Sequence, residues 1–189
     1  MRAELLIACA LEKEVGVLRD CLDIKCQFLA TGLGAEQTRG TLDDYFKLQQ
    51  PSLLLFTGTA GQLNPFLQLG QVVFPSEWCF QSGSCFAADP QLTDTLRKQG
   101  WEISGSGLTV SSPILLKQTR LRLHQSSGAL VCDMESAAAM EVASRHQVPS
   151  LAPKVISDTA NHPISSYWAN FANNMDRLAK YLERLLKCL

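Results

Sequence analysis

The sequence has no run of five or more basic residues, and its formal charge is −1, from 17 basic and 18 acidic residues. Nucleic acids and anionic membranes bind concentrated positive charge, so neither is expected as a partner. The apolar run at residues 5–11 is too short to cross a bilayer and is followed at once by charged residues. It also lacks the cleavage pattern of a leader peptide.

The seven cysteines include no Cys-x-x-Cys pair and are spread along the chain. Several lie in apolar runs, where a free thiol acts as a small hydrophobic residue. An odd number of cysteines in such positions favours a reducing compartment, and we expect the cytoplasm. With no ligand spacing among cysteines and histidines, we expect no metal site and no other cofactor.

Apolar runs of strand length alternate with helical patterns over the whole chain. The apolar content of 46% supports one domain over residues 1–189. Strands are predicted at 5–10, 27–30, 52–57, 69–75, 108–116, 129–132 and 151–156. Helices are predicted at 12–21, 35–48, 90–99 and 117–124, then from the 133–136 segment to 146, and at the C-terminus. This alternation predicts an α/β fold with a largely parallel sheet, to which region 76–125 could add antiparallel strands.

Two local features refine this prediction. Apolar residues recur every three or four positions from Trp168 to Leu186, which predicts a helix packed on the core with Ser165 or Ser166 as its N-cap. Pro153 interrupts a predicted strand, which indicates a sheet edge or a bulge at that point.

Polar or glycine-containing residues follow four of the predicted strands, at Glu14, 58–61, 133–136 and 157–160. Each has a structural explanation: a charge that favours the helix dipole, a tight connection, an N-cap at Asp133, or an Asx turn at Asp158. The carboxyl ends of parallel strands, however, lie at one edge of a sheet, where open α/β proteins bind ligands. The four segments together predict one crevice, in which Glu135 could hold a sugar diol and Asp158 could share a proton with a ligand nitrogen.

The order of the motifs resembles that of the purine nucleoside phosphorylase and nucleosidase superfamily, and within it the 5′-methylthioadenosine/S-adenosylhomocysteine nucleosidases. The motifs are Ala10-Leu11-Glu12-Lys13-Glu14-Val15, Thr31-Gly32-Leu33-Gly34, Gly58-Thr59-Ala60-Gly61, Gly70-Gln71-Val72-Val73, Asp133-Met134-Glu135-Ser136 and Ile156-Ser157-Asp158. The resemblance implies a single-domain three-layer α/β/α sandwich with a central mixed, largely parallel sheet. It also implies a homodimer.

The resemblance further implies cleavage of the bond between a purine and a ribose through an oxocarbenium-like sugar. Asp158 would protonate or hydrogen-bond N7 of the leaving base as the general acid, in neutral surroundings that keep it from ionising. Glu14 would orient or activate the attacking water. The implied substrate-binding residues are Glu135 for the ribose hydroxyls, Met134 against the sugar, Ser157 beside Asp158, and Thr59, Ala60 and Gly61 along the pocket.

Water is favoured over phosphate as the nucleophile, because the first turn carries Glu14 and lacks the Gly-Asp-Pro segment of the phosphorylases. Residues 111–114 depart from the family's Ser/Thr-Gly-Asp segment, so the aromatic that stacks on the base is not identified. The loop at 76–85 also lacks the His-Asp pattern of the nucleosidases, although Trp78, Phe80 and Phe86 could serve an altered pocket. A phosphorylase, a nucleosidase acting on futalosine or adenosylated hopanoids, and a nucleoside-binding protein without turnover remain alternatives.

Overall fold

The secondary structure follows the predicted alternation closely. The computed structural model describes residues 4–161 and 167–189, and no helix in these ranges is long and apolar enough to cross a membrane. The strands are β1 Leu5–Cys9, β2 Gln27–Ala30, β3 Leu53–Phe56, β4 Thr59–Gln62, β5 Val72–Val73, β6 Glu77–Phe80, β7 Cys85–Ala87, β8 Ser106–Thr109, β9 Val131–Asp133, β10 Ser150–Leu151 and β11 Lys154–Asp158. The helices are α1 Glu12–Cys21, α2 Ala35–Leu48, α3 Pro90–Lys98, α4 Lys117–Ser127, α5 Ser136–Arg145 and α6 Tyr167–Leu186. The N-cap candidates Ser165 and Ser166 lie outside the described residues.

The strands form two sheets. One is parallel throughout, in the order β10-β3-β1-β2, and the other has seven strands in the order β5-β11-β4-β9-β8-β6-β7. In the second sheet β11–β4, β9–β8 and β8–β6 are parallel pairs, while β5–β11, β4–β9 and β6–β7 are antiparallel. Helices α1 and α6 pack together against β1 and β11, whereas α2 packs on α5, which contacts strands of both sheets. The prediction of an α/β fold with mixed, largely parallel strands is confirmed.

The chain passes directly from one sheet to the other, with no helix between, at two crossings, from β3 to β4 and from β10 to β11; α5 lies between β9 and β10, where the chain also changes sheet. Gly58 makes the first crossing with φ +126°, and a Cβ there would lie 3.0 Å from both carboxylate oxygens of Glu14. Pro153, which has no N–H to give to a ladder, lies in the second crossing. It therefore divides the predicted strand 151–156 into two strands of different sheets. Likewise, residues 59–62 form strand β4 rather than a turn.

Hydrogen bonds join the two crossings side by side. The Thr57 hydroxyl donates to the Pro153 carbonyl at 2.8 Å, and the Val155 amide donates to the Gly58 carbonyl at 3.0 Å. Buried residues of both sheets and of α6 form one contiguous hydrophobic cluster around these crossings. Two predicted strands are shorter than expected: 69–75 is reduced to β5, and 108–116 ends at Thr109, ahead of Pro113.

A β-hairpin pairs two cysteines that the linear spacing did not suggest. Cys79 and Cys85 lie directly opposite each other in β6 and β7 and form a disulfide. This bond departs from the free thiols that are usual in the reducing compartment favoured by the sequence. Within the described ranges, Glu77 with these two sulfurs is the one cluster of metal-ligand type, and both sulfurs are used by the disulfide.

The Thr57–Pro153 hydrogen bond predicts a measurable loss of stability when the hydroxyl is removed. Thr57→Val keeps the shape of the buried side chain but removes a buried donor, so it should lower the free energy of unfolding by about 1–3 kcal/mol. Thr57→Ser keeps the hydroxyl and loses one methyl group, which should cost only about 1 kcal/mol. Urea unfolding of the three proteins measures the difference. A valine variant as stable as the wild-type protein would contradict a role for the bond.

Candidate active site

One cavity of about 430 Å³ lies where the four strand-end segments meet, a size typical of small-molecule sites. All eight residues that the sequence assigns to a site line it: Glu14, Thr59, Ala60, Gly61, Met134, Glu135, Ser157 and Asp158. The structure thus brings the predicted residues together, while the role of each stays a prediction.

Glu14 lies in the first turn of α1, with its carboxylate held from three directions. It accepts hydrogen bonds from the Leu11 amide at 3.2 Å, the Thr59 amide at 3.0 Å and the Thr59 hydroxyl at 2.8 Å. Burial raises the pKa of Glu14, and the nearby Lys154 charge and these hydrogen bonds lower it in part. A fixed carboxylate with a raised pKa is suited to accept a proton near neutral pH.

Glu135 precedes α5 and is held by two backbone amides. Its carboxylate accepts from the Gly34 amide at 2.7 Å and from the Met134 amide at 3.1 Å. Burial, and then the charge of Asp133, raise the pKa of Glu135 to about 7. A carboxylate has about four acceptor directions, so two remain for ligand hydroxyls.

Asp133 has a wider role than the predicted helix cap. Its carboxylate accepts from the Ser136 amide at 3.1 Å, as a cap would, and also from the Ser136 hydroxyl and from the Thr109 hydroxyl at 2.9 Å. It also pairs with the Lys154 ammonium at 3.3 Å. Asp133 therefore connects strands β8, β9 and β11 beneath the cavity.

Two buried cations in the cavity wall were missed by sequence reasoning. Lys154 is 2% exposed, lies 4.3 Å from the centre of the Phe56 ring and donates to the Thr57 carbonyl at 3.3 Å. Its position in the sequence, a lysine inside an apolar strand, is a signal that could have found it. Arg120 is 3% exposed and comes from α4, where no pattern distinguishes it from the exposed Arg122.

Arg120 changes the expected surroundings of Asp158. Its guanidinium forms a buried ion pair with Asp158 and donates to the Gln62 carbonyl at 2.9 Å. Ser157, as predicted, is next to Asp158 and donates to its other carboxylate oxygen at 2.8 Å. The expectation of a neutral environment is therefore wrong, because a full positive charge lies against this carboxylate.

Gly61 and Cys132 also line the cavity beside this ion pair. We call this part of the cavity the Arg120 end and define it as Gly61, Arg120, Cys132 and Asp158. A Cβ on Gly61 would lie 3.0 Å from Arg120 Nη1, 3.1 Å from Asp158 Oδ2 and 3.5 Å from Cys132 Sγ, so a side chain there would disturb the ion pair. Burial raises the pKa of Cys132 to about 12, so it is a neutral thiol in the wall.

The apolar walls come from residues other than the predicted aromatics. Val110, Pro113 and Ile114, in and beside the departing segment 111–114, line the cavity. Trp78 is fully buried elsewhere and donates to the Ala152 carbonyl at 3.1 Å. Phe80 and Phe86 line a neighbouring groove. The three aromatic candidates are thus not part of this site.

The first turn of α6 closes the cavity near Glu14. Tyr167 lies with its hydroxyl 3.3 Å from the Thr59 hydroxyl, and Trp168 also lines the cavity. Trp168 is 58% exposed and stacks with the Lys13 ammonium 4.5 Å from its ring centre. Its predicted place in the core-packing stripe is therefore wrong, although Met175, Leu178 and Leu182 do pack into the core.

The described residues that line the cavity carry a net formal charge of −2. Four carboxylates, Glu14, Asp133, Glu135 and Asp158, face two cations, Arg120 and Lys154. Such a cavity stabilises positive charge that develops on a ligand and repels anions.

Comparison with known proteins identifies the family of this chain. The family model of the Phosphorylase superfamily matches residues 28–188. A 5′-methylthioadenosine/S-adenosylhomocysteine nucleosidase of Buchnera aphidicola subsp. Schizaphis graminum is 22% identical over 188 residues, covering 88% of this chain and 79% of the relative.

Solved structures share the fold over nearly their whole length. The 5′-methylthioadenosine/S-adenosylhomocysteine nucleosidase of Campylobacter jejuni matches with a TM-score of 0.84 and 16% identity, over 99% of this chain and 100% of that one. The futalosine hydrolase of Helicobacter pylori matches with a TM-score of 0.86 and 15% identity, over 99% of this chain and 98% of that one. Because the family model spans most of the sequence, this chain belongs to the Phosphorylase superfamily.

Proposed function

We propose that the protein is a purine nucleosidase, which hydrolyses the N-glycosidic bond of a nucleoside such as 5′-methylthioadenosine or S-adenosylhomocysteine and releases the base. The observation that carries this proposal is the meeting of Glu14, Glu135 and Asp158 in one negatively charged cavity. The names of the curated nucleosidase relatives support the same reaction class.

The two glutamates fit the sugar half of the reaction. Glu135 accepts the ribose 2′- and 3′-hydroxyls with its two free acceptor directions, and Met134 packs against the sugar. Glu14 accepts a proton from the water that attacks C1′. Thr59 fixes Glu14 through two hydrogen bonds, so the base is positioned before substrate enters.

The charge of the cavity favours water over phosphate as the nucleophile. Both cations of its wall are already paired with carboxylates, Arg120 with Asp158 and Lys154 with Asp133. A phosphate anion would therefore meet net negative charge, while the oxocarbenium-like sugar is stabilised by it. Asp158, with Ser157 beside it, contacts the leaving base at the Arg120 end, and Ala60 and Gly61 line the pocket there.

We also propose a cytoplasmic homodimer of one domain. The contiguous core shared by both sheets supports the single domain, and the five free thiols, which outnumber the two disulfide-bonded cysteines, support the cytoplasm. The resemblance to the nucleosidases supports the homodimer.

Base release from a panel of nucleosides tests the proposed function. The purified protein should release adenine from 5′-methylthioadenosine or S-adenosylhomocysteine in phosphate-free buffer, as measured by chromatography. Release only with added phosphate would show that the protein is a phosphorylase. Release from futalosine or inosine, and from no other nucleoside in the panel, would show that the proposed substrate is wrong. Calorimetric binding of adenine with no release from any nucleoside over hours would overturn the enzyme and favour a binding protein.

Glu14→Gln is expected to remove most of the activity while leaving the fold intact. Glutamine keeps one oxygen, which can accept from the Thr59 amide and hydroxyl, but loses the acceptor that faces the Leu11 amide. Because it cannot take a proton, kcat should fall by about 10²–10⁴-fold. The matched control is Glu12→Gln, an exposed glutamate on the same helix turn, which should retain activity. Equal activity of the two variants would contradict the assignment of Glu14 as the base.

Nucleoside affinity should depend on pH through Glu135. Its pKa of about 7 is above the ordinary value, so the carboxylate is protonated below pH 7 and loses acceptor capacity there. In the Glu14→Gln background, where Glu14 does not titrate, the Kd for 5′-methylthioadenosine should rise about tenfold from pH 8 to pH 6.

Free adenine is the control ligand for this titration, because it has no ribose for Glu135 to hold. Its Kd, measured by calorimetry over the same pH range, should stay nearly constant. Parallel pH dependences for adenine and nucleoside would show that Glu135 is not the group that binds the sugar.

A further inference from the structure

The β6–β7 hairpin carries three side chains of metal-ligand type on one face. Cys79 and Cys85 lie directly opposite each other, and Glu77 lies two residues before Cys79 in β6. Side chains two residues apart in a strand point to the same face, and those of opposite residues are neighbours across the ladder. The Glu77 carboxylate therefore lies beside both sulfurs, and the three ligand atoms are all within 4.8 Å of one another.

The other face of the hairpin fixes the direction of these side chains. Trp78 lies between the two β6 ligands, is fully buried and donates to the Ala152 carbonyl at 3.1 Å. Phe86 lies opposite Trp78 on this inner face. A slip of one residue would turn the buried indole outward, so the packing of Trp78 keeps the ligand side chains on the outer face.

The Glu77 carboxylate is available to a cation. Among the described residues, no hydrogen-bond donor or positive charge is paired with it, although the side chain is half-buried. Cys85 is exposed, so an ion can reach the cluster from solvent. If the sulfurs become thiolates, three negative charges lie close together and repel one another unless a cation lies between them.

We propose that the hairpin, once its disulfide is reduced, binds a thiophilic divalent cation such as Zn²⁺ through Cys79, Cys85 and Glu77. Thiolates and a carboxylate are ligands of Zn²⁺, whereas Mg²⁺ and Ca²⁺ are bound by oxygen atoms. After reduction, side-chain rotation can bring the ligand atoms to the separation of roughly 3.3–3.8 Å that a tetrahedral Zn²⁺ site needs. The fourth position of the ion is left for water.

Reduction and metal binding are two balanced steps. A dithiol reductant supplies two electrons and two protons, which break the S–S bond and leave two thiols, while the reductant becomes a disulfide. Zn²⁺ then displaces the two thiol protons into solvent and forms two Zn–S bonds. In the reducing compartment proposed for this protein, the cation would replace the covalent bond as the link between β6 and β7.

A cobalt titration tests this site on the whole protein without nucleoside. Reduction by a phosphine should raise the number of titratable thiols from five to seven, because the two bonded cysteines become thiols. Co²⁺ added to the reduced protein should give the thiolate-to-metal charge-transfer absorption and the visible bands of a tetrahedral complex, saturating at one equivalent. Zn²⁺, which is bound in the same tetrahedral geometry, should displace Co²⁺ and remove these bands.

The oxidised wild-type protein is a control that needs no substitution, and it should give no charge-transfer absorption. Cys79→Ser/Cys85→Ser should also give none after reduction. The matched control is Cys21→Ser/Cys26→Ser, which removes two thiols outside the hairpin and should keep the absorption. Loss of the signal in this control would show that the metal binds elsewhere and would overturn the proposal.

Glu77→Gln tests the carboxylate while both thiols stay in place. Loss of an outer-shell partner weakens metal affinity by about 10–100-fold, so loss of a direct ligand should weaken Zn²⁺ binding at least about tenfold. Glu12→Gln, at an exposed glutamate outside the hairpin, should leave the affinity unchanged. Equal Zn²⁺ affinities of wild-type and Glu77→Gln proteins would overturn the three-ligand site. So would a disulfide that stays closed under the reductant, or a reduced wild-type protein that gives no cobalt signal.

Discussion

The buried ammonium of Lys154 is the interaction on which both the fold and the cavity depend. It lies just after the Pro153 crossing, donates to the Thr57 carbonyl at the other crossing, and pairs with Asp133. Its charge also lowers the raised pKa of Glu14 and of Glu135. A buried ion without compensation costs several kcal/mol, so the ammonium and the carboxylates around it stabilise one another. One side chain therefore joins the two sheets and fixes the charges of the cavity.

The sequence could predict those site residues whose positions depend on where a strand ends. Glu14, Glu135 and Asp158 each lie at or just after a strand end, and strand ends can be read from apolar runs and turns. The parallel pair β1 and β3 brings Glu14 to the residues that follow β3, as expected, and Asp133 could be read as a cap from its place ahead of α5. Even so, the orientation of β4 against β9 is antiparallel and was not predicted, because no local pattern specifies which strands become neighbours.

Arg120 and the Cys79–Cys85 pair could not be predicted because both depend on how distant segments dock. The sequence of α4 does not distinguish Arg120 from Arg122, and both would be expected at a solvated surface. Arg120 is buried because α4 lies beside β4, where Arg120 donates to the Gln62 carbonyl. The cysteines meet because the 80–84 turn brings β6 and β7 into register. Similarly, Trp168 fits the spacing of the apolar residues that α6 packs into the core, but it lies beyond the end of the packed face and is exposed. The spacing alone therefore predicted a buried position that Trp168 does not have.

The negative charges of the cavity match the positive charge that develops on the sugar in the proposed reaction. Glu14 and Glu135 supply negative charge at the sugar, where positive charge develops at C1′ as the bond to the base weakens. At the other end of the cavity, Arg120 is paired with Asp158 beside Gly61. Because both sets of charges are buried and fixed by hydrogen bonds, little reorganisation is needed when the bond breaks. The two paired cations therefore offset only part of the negative charge of the four buried acids, and the charge that remains favours the positive sugar over an anionic nucleophile.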